Sequence, residues 1–192
     1  MNIDSFLERL YTDGCRNDDA VSDRELMMLN ITPSTGAFLD LLIVDAKPTR
    51  ILELGTSNGY STCWLARAAA KINATIDTVD FSIQKSRAAA KNLDHCDLAQ
   101  NVTIHTCDCG EFLLKCGDDE YDFVFLDSDR STYLEWTSDL VRATRFGLLV
   151  VDNAVSHIDE LLEFRRVLIG DYGMSVVILP IGKGQMVVQD GG

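Results

Sequence analysis

The chain is short of positive charge. Seventeen Lys and Arg stand against 30 Asp and Glu in 192 residues, a formal net charge of −13 at pH 7. Such a surface repels a phosphate backbone unless a local basic patch overrides it, and apart from Arg165-Arg166 the cations are scattered singly. Nucleic acid is therefore not an expected partner. Long apolar runs are missing too: no stretch approaches the roughly 18 apolar residues of a membrane-spanning helix. Asp4, Glu8 and Arg9 interrupt residues 1–10, where a signal peptide would be continuously apolar. Both absences point to the cytoplasm and away from a membrane. The six cysteines (15, 63, 96, 107, 109 and 116) contain no C-x-x-C pair, and in a cytosolic chain they are expected to be free thiols. His105, Cys107 and Cys109 form H-x-C-x-C, which is not the spacing of a zinc ribbon, so packing at a strand end is the expected role. There is no internal repeat or low-complexity tract.

What is present is a regular alternation of strand and helix. The length suits one α/β domain spanning 1–192, with a helical N-terminal segment over 1–48 and a Rossmann-like core over 49–192. Ile3, Phe6, Leu7, Leu10 and Tyr11 recur at helical spacing. That helix would pack on this domain or on a second subunit, giving a homodimer in the latter case. Residues 13–23 read as a polar loop, Ser22 as the cap of a short helix through Met28, and Thr32-Pro33 as a further helix start. The helix it begins is expected to turn Phe38, Leu41 and Leu42 inward and to stop before Pro48. Strands are expected at 50–54, 75–80, 101–106, 121–127 and 147–151, with helices near 59–71, 82–93, 109–116, 131–143 and 157–169. Residues 175–179 and 185–188, joined by a short glycine-containing link, form an antiparallel hairpin. The sum is a doubly wound, Rossmann-like seven-stranded sheet, mostly parallel, with helices on both faces.

Ile51-Leu-Glu-Leu-Gly-Thr-Ser-Asn-Gly-Tyr-Ser61 is an apolar strand turning through two spaced glycines into a helix. Backbone amides at Gly55 and Gly59 can approach a ligand closely, beside the positive end of the helix. Asp80 ends the next strand, where a carboxylate can hold ribose hydroxyls; helix capping is its bland alternative. In an open parallel sheet, ligands lie beyond the carboxyl ends of the strands. Asp127, Asp152 and Asn153 should therefore meet there as three oxygen donors suited to magnesium or a similar divalent cation, again with capping as the alternative. The glycine pattern is G-x-x-x-G preceded by glutamate, not G-x-G-x-x-G, which counts against a nicotinamide dehydrogenase.

ILELGTSNGYS resembles motif I of the class I S-adenosylmethionine-dependent methyltransferases, and its GYS ending resembles the cation-dependent O-methyltransferases related to the catechol and caffeoyl-CoA enzymes. The likeness continues in order through TVDFS (78–82), VTIHTCDCGEFL (102–113), YDFVFLDSDRSTY (121–133), GLLVVDNA (147–154) and LPIGKG (179–184). It implies S-adenosylmethionine as cofactor, with Glu53, Gly55, Ser57, Gly59, Tyr60 and Ser61 around its methionine and ribose. It also implies Asp80 on the ribose hydroxyls, with Phe81 and Asp127 beside the cofactor and Asp108 and Cys109 at the adenine. This chain has Cys107-Asp108-Cys109 where the family has Gly-Asp-Ala. The resemblance further implies a divalent cation on Asp127, Asp152 and Asn153, and a small hydroxylated acceptor. Two departures stand out. Arg130 occupies the lysine position of D-x-D-K, and a guanidinium does not readily act as a base. His157 follows Asn153 in a D-N-x-x-S-H pattern similar to a bacterial branch of the superfamily, and is a candidate proton acceptor. Arg130 and His157 are thus the catalytic candidates. A metal-independent methyltransferase using His157 as base, and a cofactor-binding protein without transferase activity, remain alternatives. Tyr133 and Trp136 are expected to be packing residues.

Overall fold

The computed structural model describes residues 2–144 and 147–192. Asn2 caps the first helix, α1 (Ile3–Ala20), by accepting from the Asp4 amide at 3.0 Å; Met1, the start of the expected amphipathic segment, lies outside the described residues. The polar stretch read as a loop from residue 13 is helical as far as Ala20. Its polar residues serve as anchors. Asn17 Nδ2 donates to the Leu26 carbonyl, and the Asp18 carboxylate accepts from the Met28 and Leu29 amides at 2.7 and 2.9 Å, so the segment that follows α1 is pinned against it. The short helix expected from Ser22 to Met28 is a single 3₁₀ turn, Arg24–Leu26, capped by Asp23.

Thr32 caps α2 (Pro33–Ala46), which ends at Lys47 in the left-handed region. Thr35, Gly36, Leu39 and Ile43 form its buried face, one stripe at helical spacing. Leu41, expected inward, is instead 72% exposed. The register follows from Gly36, where a Cβ would lie 2.4 Å from the Trp64 ring; only this face permits so close an approach.

The sheet consists of β1 (Arg50–Leu54), β2 (Thr75–Asp80), β3 (Val102–Thr106), β4 (Phe123–Leu126), β5 (Leu148–Asp152), β6 (Ser175–Leu179) and β7 (Gln185–Gln189), in the order β3-β2-β1-β4-β5-β7-β6. The first five strands are parallel, and β7 runs antiparallel between β5 and β6. Helices α3 (Tyr60–Ile72), α4 (Ile83–His95), α5 (Cys109–Leu113), α6 (Tyr133–Thr144) and α7 (Ile158–Gly170) connect them. Alternation along β1 divides the core, since successive side chains point to opposite faces. Ile51 joins Leu39, Ile43, Leu65 and Phe125 under the N-terminal helices, while Leu52 and Leu54 join Leu126, Tyr133, Leu140 and Phe164. The apolar side of α1 also meets the core: Leu7 is buried, Phe6 stacks on His95 and Tyr11 packs against Tyr60. This helix thus packs on its own chain. Because β1 has β2 on one side and β4 on the other, the connections diverge at its carboxyl end and open a crevice there. Among the described residues no helix is long and apolar enough to cross a membrane, and all six cysteines are unpaired.

Candidate active site

The turn after β1 is shaped by what approaches it. Gly55 has φ +108°, and a Cβ there would lie 2.0 Å from the Asp127 carbonyl; its amide donates to Val79 O at 2.9 Å. Gly59, at φ +81°, precedes α3 and leaves room for the α4 backbone at Ala89. Between them, Ser57 donates its amide to Asp80 Oδ2 (2.8 Å) and its hydroxyl to Met28 O (2.7 Å). The second bond draws the segment after α1 over the turn.

Asp80 is buried and accepts the Ser82 amide on Oδ1 (2.8 Å), while Ser82, not Asp80, caps α4. Each carboxylate oxygen therefore keeps a second acceptor site for a ligand hydroxyl. Ser57, Tyr60, Ser61, Asp80, Phe81 and Cys109 all face one cleft of about 700 Å³. Phe81 is 71% exposed at its edge, and burial pushes the Cys109 thiol up to about 12, so it is a neutral wall.

Three sequence candidates for the cofactor stand back from this cleft. Gly59 acts through backbone shape. Asp108 caps α5 by accepting the Glu111 amide at 3.0 Å and faces a separate groove beside Trp136. Glu53 lies wholly buried beneath the turn on the face opposite Leu52 and Leu54, where Oε2 accepts the hydroxyls of Thr62 (2.5 Å) and Thr78 (2.6 Å). Burial pushes its carboxyl up to about 7, and among the described residues Oε1 accepts no hydrogen bond. Glu53 thus ties β1 to β2 and to the first turn of α3.

Asp127 leaves β4 into the same cleft and Asn153 leaves β5 in the left-handed region, φ 67°. Asn153 Nδ2 donates to Asp127 Oδ1 at 3.0 Å; the reversed amide would present its oxygen instead. Asp152 is buried behind them and accepts from Gln185 Nε2, which also donates to Thr35 Oγ1 at 3.2 Å. Burial, and then the neighbouring Asp152, raise the Asp127 carboxyl to about 8; burial also raises Asp152. Two carboxyls so placed form an acidic pair that a cation would stabilise. No group of three or more His, Cys, Asp or Glu suited to a metal occurs among the described residues, so the candidate set is two carboxyls and one amide.

Arg130 and His157 line the same cleft. Arg130 donates Nε to Glu160 Oε2 at 2.7 Å. His157 precedes α7, its amide bonded to Asn153 O (2.9 Å) and its Nδ1 to Ser156 Oγ (2.8 Å). Tyr133 is buried, its hydroxyl bonded to the amide and carbonyl of Ser128, and it packs on Trp136 and Phe164. His105 pairs with Asp77 at 2.7 Å and, among the described residues, forms no metal cluster with the cysteines.

Lys183 and the segment Arg24–Ile31 also wall the cleft. Lys183 arrives because the β6–β7 turn is pinned to the loop after β5: the Val155 and Ser156 amides donate to its carbonyl at 3.1 and 2.9 Å. Its only local signal was a lysine between two glycines. Gln185 gave none, since its contact with Thr35 spans 150 positions.

A doubly wound sheet with a reversed last strand, a glycine turn and acids at the ends of β2, β4 and β5 defines a nucleotide-cofactor protein of the methyltransferase type. The chain belongs to the O-methyltransferase family, whose model matches residues 15–190. It is 33% identical over 141 residues to a catechol O-methyltransferase of Niastella koreensis, an alignment covering 71% of this chain and 63% of the relative. Over 140 residues it is 31% identical to a catechol O-methyltransferase of Mycobacterium tuberculosis, covering 71% and 62%. The chain thus spans less than two thirds of the length of these relatives. The structure of a Bacillus cereus O-methyltransferase in complex with SAH superposes with a TM-score of 0.79 at 22% identity, covering 96% of this chain and 90% of that one, which shows the shared fold.

Proposed function

We propose that the protein is an S-adenosylmethionine-dependent O-methyltransferase that requires a divalent cation and acts on a hydroxyl of a small molecule. The observation that carries this reading is that Asp80 with the Ser57 turn, and Asp127 with Asn153, line one cleft. A methyl donor and an acceptor hydroxyl can meet there, as an in-line displacement requires. Asp80 would hold the cofactor ribose, and the Gly55–Ser61 turn its methionine part. Glu53, under the turn, is a positioning residue that keeps the start of α3 against β2. Asp127, Asp152 and Asn153 would hold magnesium or a similar ion, which when bound lowers the pKa of an acceptor hydroxyl and fixes it in place. Gln185 orients Asp152 and Arg130 stabilises negative charge at the acceptor, while His157 would take the acceptor proton only in the metal-independent alternative.

Calorimetric titration tests the cofactor: S-adenosylmethionine or its demethylated product should bind and NAD should not, and the reverse would end this reading. Manganese-soaked crystals test the cation, with anomalous scattering expected between Asp127, Asp152 and Asn153. An empty site at millimolar manganese, together with turnover insensitive to chelators, would support the metal-independent alternative. In that case His157→Ala should cost about 10²- to 10⁴-fold in rate. With the cation present, His157→Ala should matter little.

A further inference from the structure

One wall of the cleft hangs on side chains. Met27, Met28, Leu29, Asn30 and Ile31 line it, and among the described residues no backbone-to-backbone hydrogen bond reaches residues 28–31. Leu29 is exposed, and Ile31 alone of the five is fully buried. A stretch with so little apolar burial opens locally unless polar contacts hold it. Asp18 supplies the shortest of these. Its Oδ1 accepts the Met28 amide at 2.7 Å and its Oδ2 the Leu29 amide at 2.9 Å, so one carboxylate takes two successive donors. Asn17 Nδ2 steadies that carboxylate by donating to Oδ1 at 3.0 Å, and Asn30 Nδ2 adds a longer bond to the Leu10 carbonyl, 3.3 Å. From Met28 the bonds continue inward. Its carbonyl accepts the Ser57 hydroxyl at 2.7 Å, and Ser57 donates its amide to Asp80 Oδ2 at 2.8 Å. Leu29 (φ 51°) and Ser57 (φ 47°) both lie in the left-handed region, which residues with a Cβ keep only where their surroundings hold them there. Residues 18, 28, 57 and 80 are thus joined in one line from α1 to the end of β2.

We propose that Asp18 is a positioning residue for the cofactor. By holding the Met28 and Leu29 amides it fixes the carbonyl that orients Ser57, and through Ser57 it sets the turn and the carboxylate that would hold the ribose. Asp18 is not among the residues that line the cleft, so its effect on binding passes through the strap and Ser57. The identity of the ligand rests on the methyltransferase reading; the relay of hydrogen bonds does not.

The test uses the full chain and calorimetric dissociation constants for S-adenosylhomocysteine. Asp18→Ala should raise the constant about five- to thirtyfold, the range for residues that act on a site through others. Asp18→Asn, which keeps one oxygen for one amide, should raise it less. Asp19→Ala, an equal loss of charge at an exposed position of the same helix, should leave it unchanged. The two links should also be coupled: in a Ser57→Ala background, Asp18→Ala should add less than about twofold. A merely structural loss would instead multiply with Ser57→Ala. An unchanged constant in Asp18→Ala, an equal rise in Asp19→Ala, or full multiplication of the two effects overturns the proposal. Amide exchange on the ligand-free chain separates the relay from the methyltransferase reading: Met28 and Leu29 should exchange slowly in the wild type and at least about tenfold faster in Asp18→Ala. Exchange that is indifferent to Asp18→Ala overturns the relay. The stated exchange behaviour in a wild type that binds no S-adenosylhomocysteine would keep the relay and sink the methyltransferase reading.

Discussion

Glu53 shows how much one side chain can carry without touching a ligand. Its carboxyl is raised from an ordinary 4.5 to about 7 by burial, so the folded chain holds a proton there that the unfolded chain has already released. Stability from this group is complete below about pH 4.5 and is lost as pH rises through about 7. The loss is ~3 kcal/mol at most, on 1.36 kcal/mol per pKa unit. Urea unfolding of the wild type and Glu53→Gln between pH 5 and 8 should show the two stabilities converging or crossing as pH rises; parallel curves would refute the assignment. Asp80→Ala should weaken S-adenosylhomocysteine binding by about 1.5–3 kcal/mol, the scale of hydrogen bonds to a charged group. An unchanged dissociation constant would leave Asp80 only its bonds to the Ser57 and Ser82 amides. Residues in the strand-end motifs were legible because the sheet dictates where strand ends go. Lys183 and Gln185 were not, because they reach the cleft through a turn and a strand whose neighbour β5 is remote in sequence.

At the level of elements, the glycine turn is the most constrained piece. Gly55→Ala would place a methyl against the Asp127 carbonyl at a backbone angle that side chains rarely adopt. The substitution should cost about 3 kcal/mol and lower the melting temperature by roughly 6–12 °C in a domain of this size. Gly170→Ala, where nothing lies within 4 Å, should leave it within about 2 °C. Calorimetry on both variants settles whether the turn is under this constraint. Helix and strand positions after residue 50 followed from hydrophobic alternation and turn residues, which are local signals. The N-terminal region was harder to read. Asn17 and Asp18 looked like loop residues because their composition is polar, but their side chains fold back onto Leu26, Met28 and Leu29, and that contact keeps them helical. The inward face of α2 was misjudged for a similar reason: Gly36 meets Trp64 across a helix interface that no periodicity within α2 reveals.

For the whole molecule, the cleft joins parts that are otherwise separate: the segment after α1, the turns after β1 and β4, the loop after β5 and the β6–β7 turn. A ligand seated there should tie them together. Saturation with S-adenosylhomocysteine at a hundred times its dissociation constant should add about 2.7 kcal/mol and raise the melting temperature by roughly 5–11 °C; no shift at that concentration would mean that the cleft does not bind it. The bridge from Thr35 through Gln185 to Asp152 also bears on how the protein is made. Strands β1 to β3 and their glycine turn are complete soon after they leave the ribosome, but Asp152 has no Gln185 to hold it until the last strand has emerged. The nucleotide half of the cleft can therefore assemble early in translation, whereas the half that would do chemistry stays unfinished until β7 has been made.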